Sequence, residues 1–120
     1  MSRIALVAAG LVAALALAAP IGATSSVTKL TGTTGPGFTI TLKKAGRMVK
    51  TLKAGKYKIT VQDKSNIHNF RLKGPGLNKQ ITMLGFQGSK TVTVTLKKGK
   101  YTYQCDPHAA TGMKHTFRVT

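Results

Sequence analysis

Acidic side chains are almost missing from this chain. Asp63 and Asp106 are the only two, set against nineteen lysines and arginines in 120 residues, for a formal charge of +17. Two carboxylates are too sparse for an acid/base dyad, and no Ser-His-Asp pattern accompanies them, so the composition points away from an enzyme. Tryptophan is absent and only seven Phe and Tyr residues are present. The core must therefore come from few, well-placed apolar side chains. Beyond the N-terminus there is no amphipathic helical stretch. Cysteine occurs once, at Cys105, which excludes an internal disulfide. In an exported protein a lone thiol is an intermolecular partner, a free reactive group, or a thiolate held by a metal.

One long apolar run exists, Ile4 to Ala19, preceded by Arg3 and ended by Pro20. It is shorter than the roughly 20 residues of a spanning helix. Residues 1–23 read as an export signal, with cleavage expected after Ala23 or Ala18, the other possibility being an uncleaved N-terminal anchor. The expected organisation is thus a signal at 1–23 and one small domain at 24–120, in the periplasm, the cell envelope or outside the cell. Losing Arg3 would leave a charge of +16 (17 − 1). Such a field attracts acidic proteins, anionic lipid or nucleic acid, and weakens with salt. For any single lysine, a solvated surface kept for solubility explains as much. The lysines are spread over many turns and strands, and no nucleic-acid motif is present.

What is present from about Ser25 onward is a period of two. Phe38, Ile40 and Leu42 alternate with Thr39, Thr41 and Lys43. Tyr57, Ile59 and Val61 alternate with lysines, Thr60 and Gln62, and Val92, Val94 and Leu96 with threonines. Each run has one apolar face, as in half-buried antiparallel strands. Glycine-containing turn signals separate the runs, Gly74-Pro75-Gly76 among them. Strands are expected near 26–31, 38–43, 48–52, 56–62, 68–73, 79–84, 90–96, 99–105 and 114–120, a spacing that suggests a sandwich or Greek-key barrel. Thr51 to Ile59 echoes Thr95 to Tyr103: each ends a strand, turns at glycine and restarts with Lys-Tyr.

The last twenty residues carry the chemistry. Cys105 is followed after three residues by His108 and after five more by Met113. Thiolate and thioether are soft ligands and imidazole suits copper; two His and one Cys with a weak axial Met make a blue-copper site. The second histidine must come from elsewhere, and His68 is the best candidate. Parity puts Tyr101, Tyr103 and Cys105 on one inward face, and His68, Phe70 and Leu72 on another, with Asn69, Arg71 and Lys73 opposite. Arg71 and Lys73 are either a partner patch or a solvated face. Met48 and Met83 are expected in the core rather than on a metal.

The stretch Gly99-Lys-Tyr101-Thr-Tyr-Gln-Cys105-Asp-Pro107-His108-Ala-Ala-Thr-Gly112-Met113 closely resembles the copper loop of plastocyanin-like cupredoxins, and His68-Asn69 resembles the family's first ligand histidine and the Asn after it. The resemblance runs from about Thr28 to Thr120. It implies an all-β Greek-key sandwich of about eight strands and one type 1 copper ion held by His68, Cys105, His108 and Met113. Asn69 would tie the two ligand segments together, Tyr101 would fix the Greek-key corner, and His108 would be the edge through which electrons leave. Three features depart from the family: His115 close after Met113, expected at the surface or half-buried or else as a competing ligand; Asp106 inside the loop, to pair with a lysine or tune the potential; and a far more positive charge.

Three function classes follow. The first is an exported electron shuttle, monomeric, meeting an acidic redox partner, with electrostatic association to an anionic membrane surface as a further possibility. The second is an extracytoplasmic copper carrier without a redox role. The third is a metal-free scaffold binding through charge, against which the Cys, two His and Met argue. Met113 favours copper over zinc, although zinc can occupy such a site.

Overall fold

The structure, a computed structural model, describes residues 26–120. The expected export signal at 1–23 lies outside the described residues. Among the described residues ten strands run in chain order: β1 (Thr28–Thr34), β2 (Ile40–Lys44), β3 (Arg47–Met48), β4 (Thr51–Leu52), β5 (Gly55–Asp63), β6 (Phe70–Gly74), β7 (Leu77–Thr82), β8 (Gly88–Leu96), β9 (Gly99–Gln104) and β10 (Lys114–Val119), with a 3-10 turn at Asp106–Thr111 between the last two. They form two five-stranded sheets, β3-β2-β1-β5-β8 and β4-β10-β9-β6-β7. The all-β sandwich expected from the alternation is therefore present, with ten strands rather than about eight.

The extra strands come from the run expected at 48–52. It breaks at Val49-Lys50, so β3 completes the first sheet against β2 while β4 joins β10 in the second. Most ladders are antiparallel, as the one-sided patterning suggested, but β1 with β5 and β4 with β10 are parallel.

The alternation sets which side chains fill the gap between the sheets. Leu30, Ile40, Leu42, Tyr57, Ile59 and Val61 face inward from the first sheet, and Phe70, Leu72, Tyr101, Tyr103, Phe117 and Val119 meet them from the second. With no tryptophan, stacked rings supply the bulk: Phe70 on Tyr103 and Tyr101 on Phe117 at centroid separations of 5.6 and 5.5 Å. Offset stacking of this kind adds to area burial. Asp63 continues the inward parity of Tyr57, Ile59 and Val61, and is buried with them.

The two echoed corners are built alike. Gly55 and Gly99 open β5 and β9 with φ of 151° and 142°. In the first, the Tyr57 hydroxyl donates to Lys53 O at 2.6 Å. In the second, the Tyr101 hydroxyl accepts from Lys97 N–H and donates to Pro75 O, both at 2.9 Å. Tyr101 thus pins the corner and the β6–β7 turn together, the role expected of it. Its ring lies flat on Gly74, where any Cβ would collide with it.

Phe38, expected on the apolar face of β2, leaves it. The strand begins only at Ile40, after Gly35 with φ 77°, and Phe38 is 63% exposed. Met48 and Met83 are 40% and 55% exposed, so neither is the core residue expected.

Candidate metal centre

His68 and Cys105 are placed by neighbouring strands of the second sheet. Cys105 follows β9 and closes the inward row of Tyr101 and Tyr103; His68 precedes β6 and heads the row of Phe70 and Leu72. Because β6 and β9 pair antiparallel, with Arg71 opposite Gln104, the start of one meets the end of the other. Both residues are fully buried. His108 comes from the 3-10 turn, which Cys105 caps through its carbonyl, accepting His108 N–H at 3.1 Å.

The three side chains converge through specific atoms. His68 Nδ1 lies 3.1 Å from His108 Nδ1. Cys105 Sγ lies 3.6 Å from His68 Nδ1 and 3.4 Å from His108 Nδ1. Two imidazole nitrogens and a thiol aimed at one another form the sole cluster of potential metal-holding His, Cys, Asp or Glu atoms among the described residues. The point equidistant from the three atoms lies about 2.0 Å from each, close to a metal–imidazole bond and somewhat short of a metal–thiolate bond of about 2.3 Å. The donor set therefore fits a single borderline-soft ion.

Met113, just after this turn, is fully buried. Its main chain is bonded to the other loop residues: Cys105 N–H donates to Met113 O at 3.0 Å, and Met113 N–H donates to His108 O at 3.1 Å. Gly112, at φ 116°, provides the left-handed step that returns the chain to β10. His115 is exposed, its ring tilted against Tyr103 at 5.6 Å. It belongs to the surface and not to the converging cluster.

Around the cluster is a polar frame. Asn69 sits opposite His68 in parity, yet it is fully buried. It donates to Gln80 Oε1 and to Asp106 Oδ2, both at 2.9 Å, and accepts Asp106 N–H at 2.7 Å. The expected tie between the two segments is present. Asp106 also accepts from Gln104 Nε2 at 3.0 Å and from Arg71 Nε at 2.9 Å. Its partner is this arginine rather than a lysine. Burial pushes the Asp106 carboxyl upward, but the bonds from Gln104, Asn69 and Arg71 and the arginine charge outweigh it, leaving the pKa below its ordinary value.

Phe38 and Gly35 are the residues that alternation misplaced or passed over. The Phe38 ring stands edge-on to His68 and His108, with centroids 5.4 and 4.9 Å away. Gly35 lies against the other edge of His68; a Cβ there would be 2.8 Å from His68 Cδ2. The Gly35-Pro36-Gly37 break is legible as a turn, but nothing in its spacing to His68 signals contact.

The family of copper binding proteins of the plastocyanin/azurin type matches residues 37–120. No curated protein matches the chain. Among solved structures it is similar to the copper protein rusticyanin, at 20% identity and TM-score 0.60 over 81% of this chain and 80% of that one. It is also similar to reduced rusticyanin, at 23% identity and TM-score 0.57 over 82% of each. Rusticyanin from Thiobacillus ferrooxidans gives 22% and 0.56 over 81% and 79%. These likenesses establish the shared fold.

Proposed function

The chain belongs to the plastocyanin/azurin family of copper binding proteins, a plastocyanin-like cupredoxin, and we propose that it is an exported carrier of single electrons. Its cofactor is one type 1 copper ion, which supplies a reversible one-electron couple when bound. His68 Nδ1, Cys105 Sγ and His108 Nδ1 would hold it, with the Met113 thioether as a further, soft ligand. The observation that carries this reading is the convergence of two Nδ1 atoms and one Sγ within 3.6 Å.

The residues favour a shuttle because they hold one arrangement. His68 and Cys105 are packed in the core at strand ends, and the Asn69–Asp106–Arg71 frame joins their segments. A site that does not rearrange between oxidation states exchanges electrons with little reorganisation. Half-buried His108, the one imidazole of the pair that reaches solvent, is the exit.

The partner would be an acidic redox protein. Asp63 is buried and Asp106 is engaged by Arg71, so no free carboxylate side chain offsets the lysines at the surface of the described residues. Weak, salt-sensitive encounters suit a carrier that must leave quickly.

The test is a visible spectrum of the purified protein after one equivalent of Cu(II), with Cys105→Ser as control. An intense blue band that bleaches with ascorbate, returns on oxidation and is absent in the variant is the expected result. Tight Cu(I) binding without such a band would replace the shuttle by a copper carrier.

A further inference from the structure

Four buried side-chain atoms have no hydrogen-bond partner among the described residues: Thr34 Oγ1, Asp63 Oδ2, His68 Nε2 and Thr82 Oγ1. None of these residues is more than 2% exposed. Stranding one such atom costs about 1–3 kcal/mol, so four in one fold call for an explanation.

Several relationships put them in one place. Thr34 and Asp63 are register partners at the ends of β1 and β5. The next residue of each strand strengthens the link: Lys64 N–H donates to Thr34 O at 2.9 Å, and a Cβ on Gly35 would lie 3.6 Å from His68 Nε2. Thr82 pairs with Phe70, two residues after His68, across β6 and β7. Burial pushes the Asp63 carboxyl above its ordinary value; the Thr82 hydroxyl, near it but outside hydrogen-bond geometry, the Ser65 N–H and His68 pull the other way. Asp63 Oδ1 accepts Ser65 N–H at 3.3 Å, and Ser65 O accepts His68 N–H at 3.2 Å. That leaves Oδ2 as the unused acceptor beside the histidine.

The ring chemistry makes a demand here. A neutral imidazole has one protonated and one bare nitrogen. With Nδ1 given to a metal ion, the proton must sit on Nε2 and needs an acceptor in a buried place. No atom of the described residues is within hydrogen-bond geometry of Nε2. A buried water typically makes two to four such bonds to otherwise unsatisfied groups.

We propose that one internal water, held by Asp63 Oδ2 and the Thr34 and Thr82 hydroxyls, accepts the Nε2 proton of His68, making Asp63 a positioning residue that holds the metal-binding tautomer of His68. Thr34 and Thr82, which can donate or accept, complete the water's bonds. The inference rests on His68 being a ligand, and it gives Asp63, one of only two carboxylates in the chain, a role.

The decisive measurement is long-range proton–nitrogen NMR of the metal-free protein, alongside Asp63→Asn and the near-isosteric pair Thr34→Val/Thr82→Val. Wild type is expected to hold His68 in the Nε2–H form, with an exchange-protected proton showing a cross-peak to bound water. Asp63→Asn should lower Cu(II) affinity ten- to hundredfold, the usual effect of losing a group behind a ligand. It should also raise the reduction potential, because the imidazole becomes a poorer donor to the oxidised ion. The threonine pair should move both in the same direction and lose the water cross-peak. An Nδ1–H tautomer in the wild type, or wild-type affinity and potential in folded Asp63→Asn, overturns the proposal. If wild type gives no blue band at all, the copper reading fails instead, and the tautomer and water signals still judge this one on the metal-free protein.

Discussion

Asn69 and Asp106 hold each other in both directions: Asn69 Nδ2 donates to the Asp106 carboxylate at 2.9 Å, and Asp106 N–H donates back to Asn69 Oδ1 at 2.7 Å. Each is the residue after a proposed ligand, so this pair sets the distance between His68 and Cys105. Asn69→Leu would leave Asp106 N–H and Gln80 Oε1 without that partner. Loss of about 1–3 kcal/mol is expected for buried groups stranded in this way, read as a lower denaturation midpoint. The blue band should shift or broaden as the two ligand segments separate; an unchanged spectrum would show that the strands alone hold the geometry.

Arg71 should matter for stability in acid. The folded-state pKa of Asp106 is depressed, so its stabilising contribution is present above the ordinary carboxylate pKa and is lost as pH falls through the lower folded value. Arg71→Gln removes one of the causes of that depression. Stability at neutral pH should fall by up to about 1 kcal/mol, as for partly exposed ion pairs. The acid-dependent slope should also become shallower. Equilibrium urea unfolding of the metal-free variant and wild type from neutral to acidic pH measures both.

Gly35 is a position where no other residue fits. Its φ of 77° is left-handed, and an added Cβ would lie 2.8 Å from His68 Cδ2. Gly35→Ala should cost about 1–2 kcal/mol from backbone strain alone and push the imidazole toward Cys105. Weaker Cu(II) binding together with lower stability is the expected pair of effects, measured by competition titration and thermal melting.

Tyr101→Phe should separate fold from site. The variant loses the bonds to Pro75 O and Lys97 N–H but keeps the ring stacked on Phe117. A loss of about 1–3 kcal/mol is expected, equivalent to a fall in Tm of at least about 4 °C for a domain of this size. The copper spectrum should stay as in wild type, because Tyr103 separates Tyr101 from Cys105 along the inward row. A spectral change would mean that the corner and the metal loop are one cooperative unit.

Much of the fold is legible in the sequence. Alternation in Tyr57, Ile59 and Val61 tells which side chains face inward, because the pleat has a period of two, and it carries over correctly to Tyr101, Tyr103 and Cys105. The same rule, extended one step further along β5, buries Asp63. Alternation fails at Phe38, because Gly35 turns the chain before the strand starts and the pattern runs on past the strand's true end. It also treats 48–52 as one strand, since two residues on either side of Val49-Lys50 are too few to show a change of sheet.

Cys105, His108 and Met113 lie within nine residues of one another, so a single turn brings them together and their spacing is written into the chain itself. The donor types, the all-β pattern and the excess of positive charge are likewise properties of the sequence alone. The remaining relationships depend on strand order. His68 meets Cys105 because β6 lies beside β9, and Arg71 meets Asp106 for the same reason. Thr34 meets Asp63 because β1 runs parallel to β5, and Phe38 comes to cover both histidines because the first sheet packs over the second. Local periodicity carries no information about which strand becomes whose neighbour; burial of the two apolar faces against each other decides that, and with it the surroundings of the metal centre.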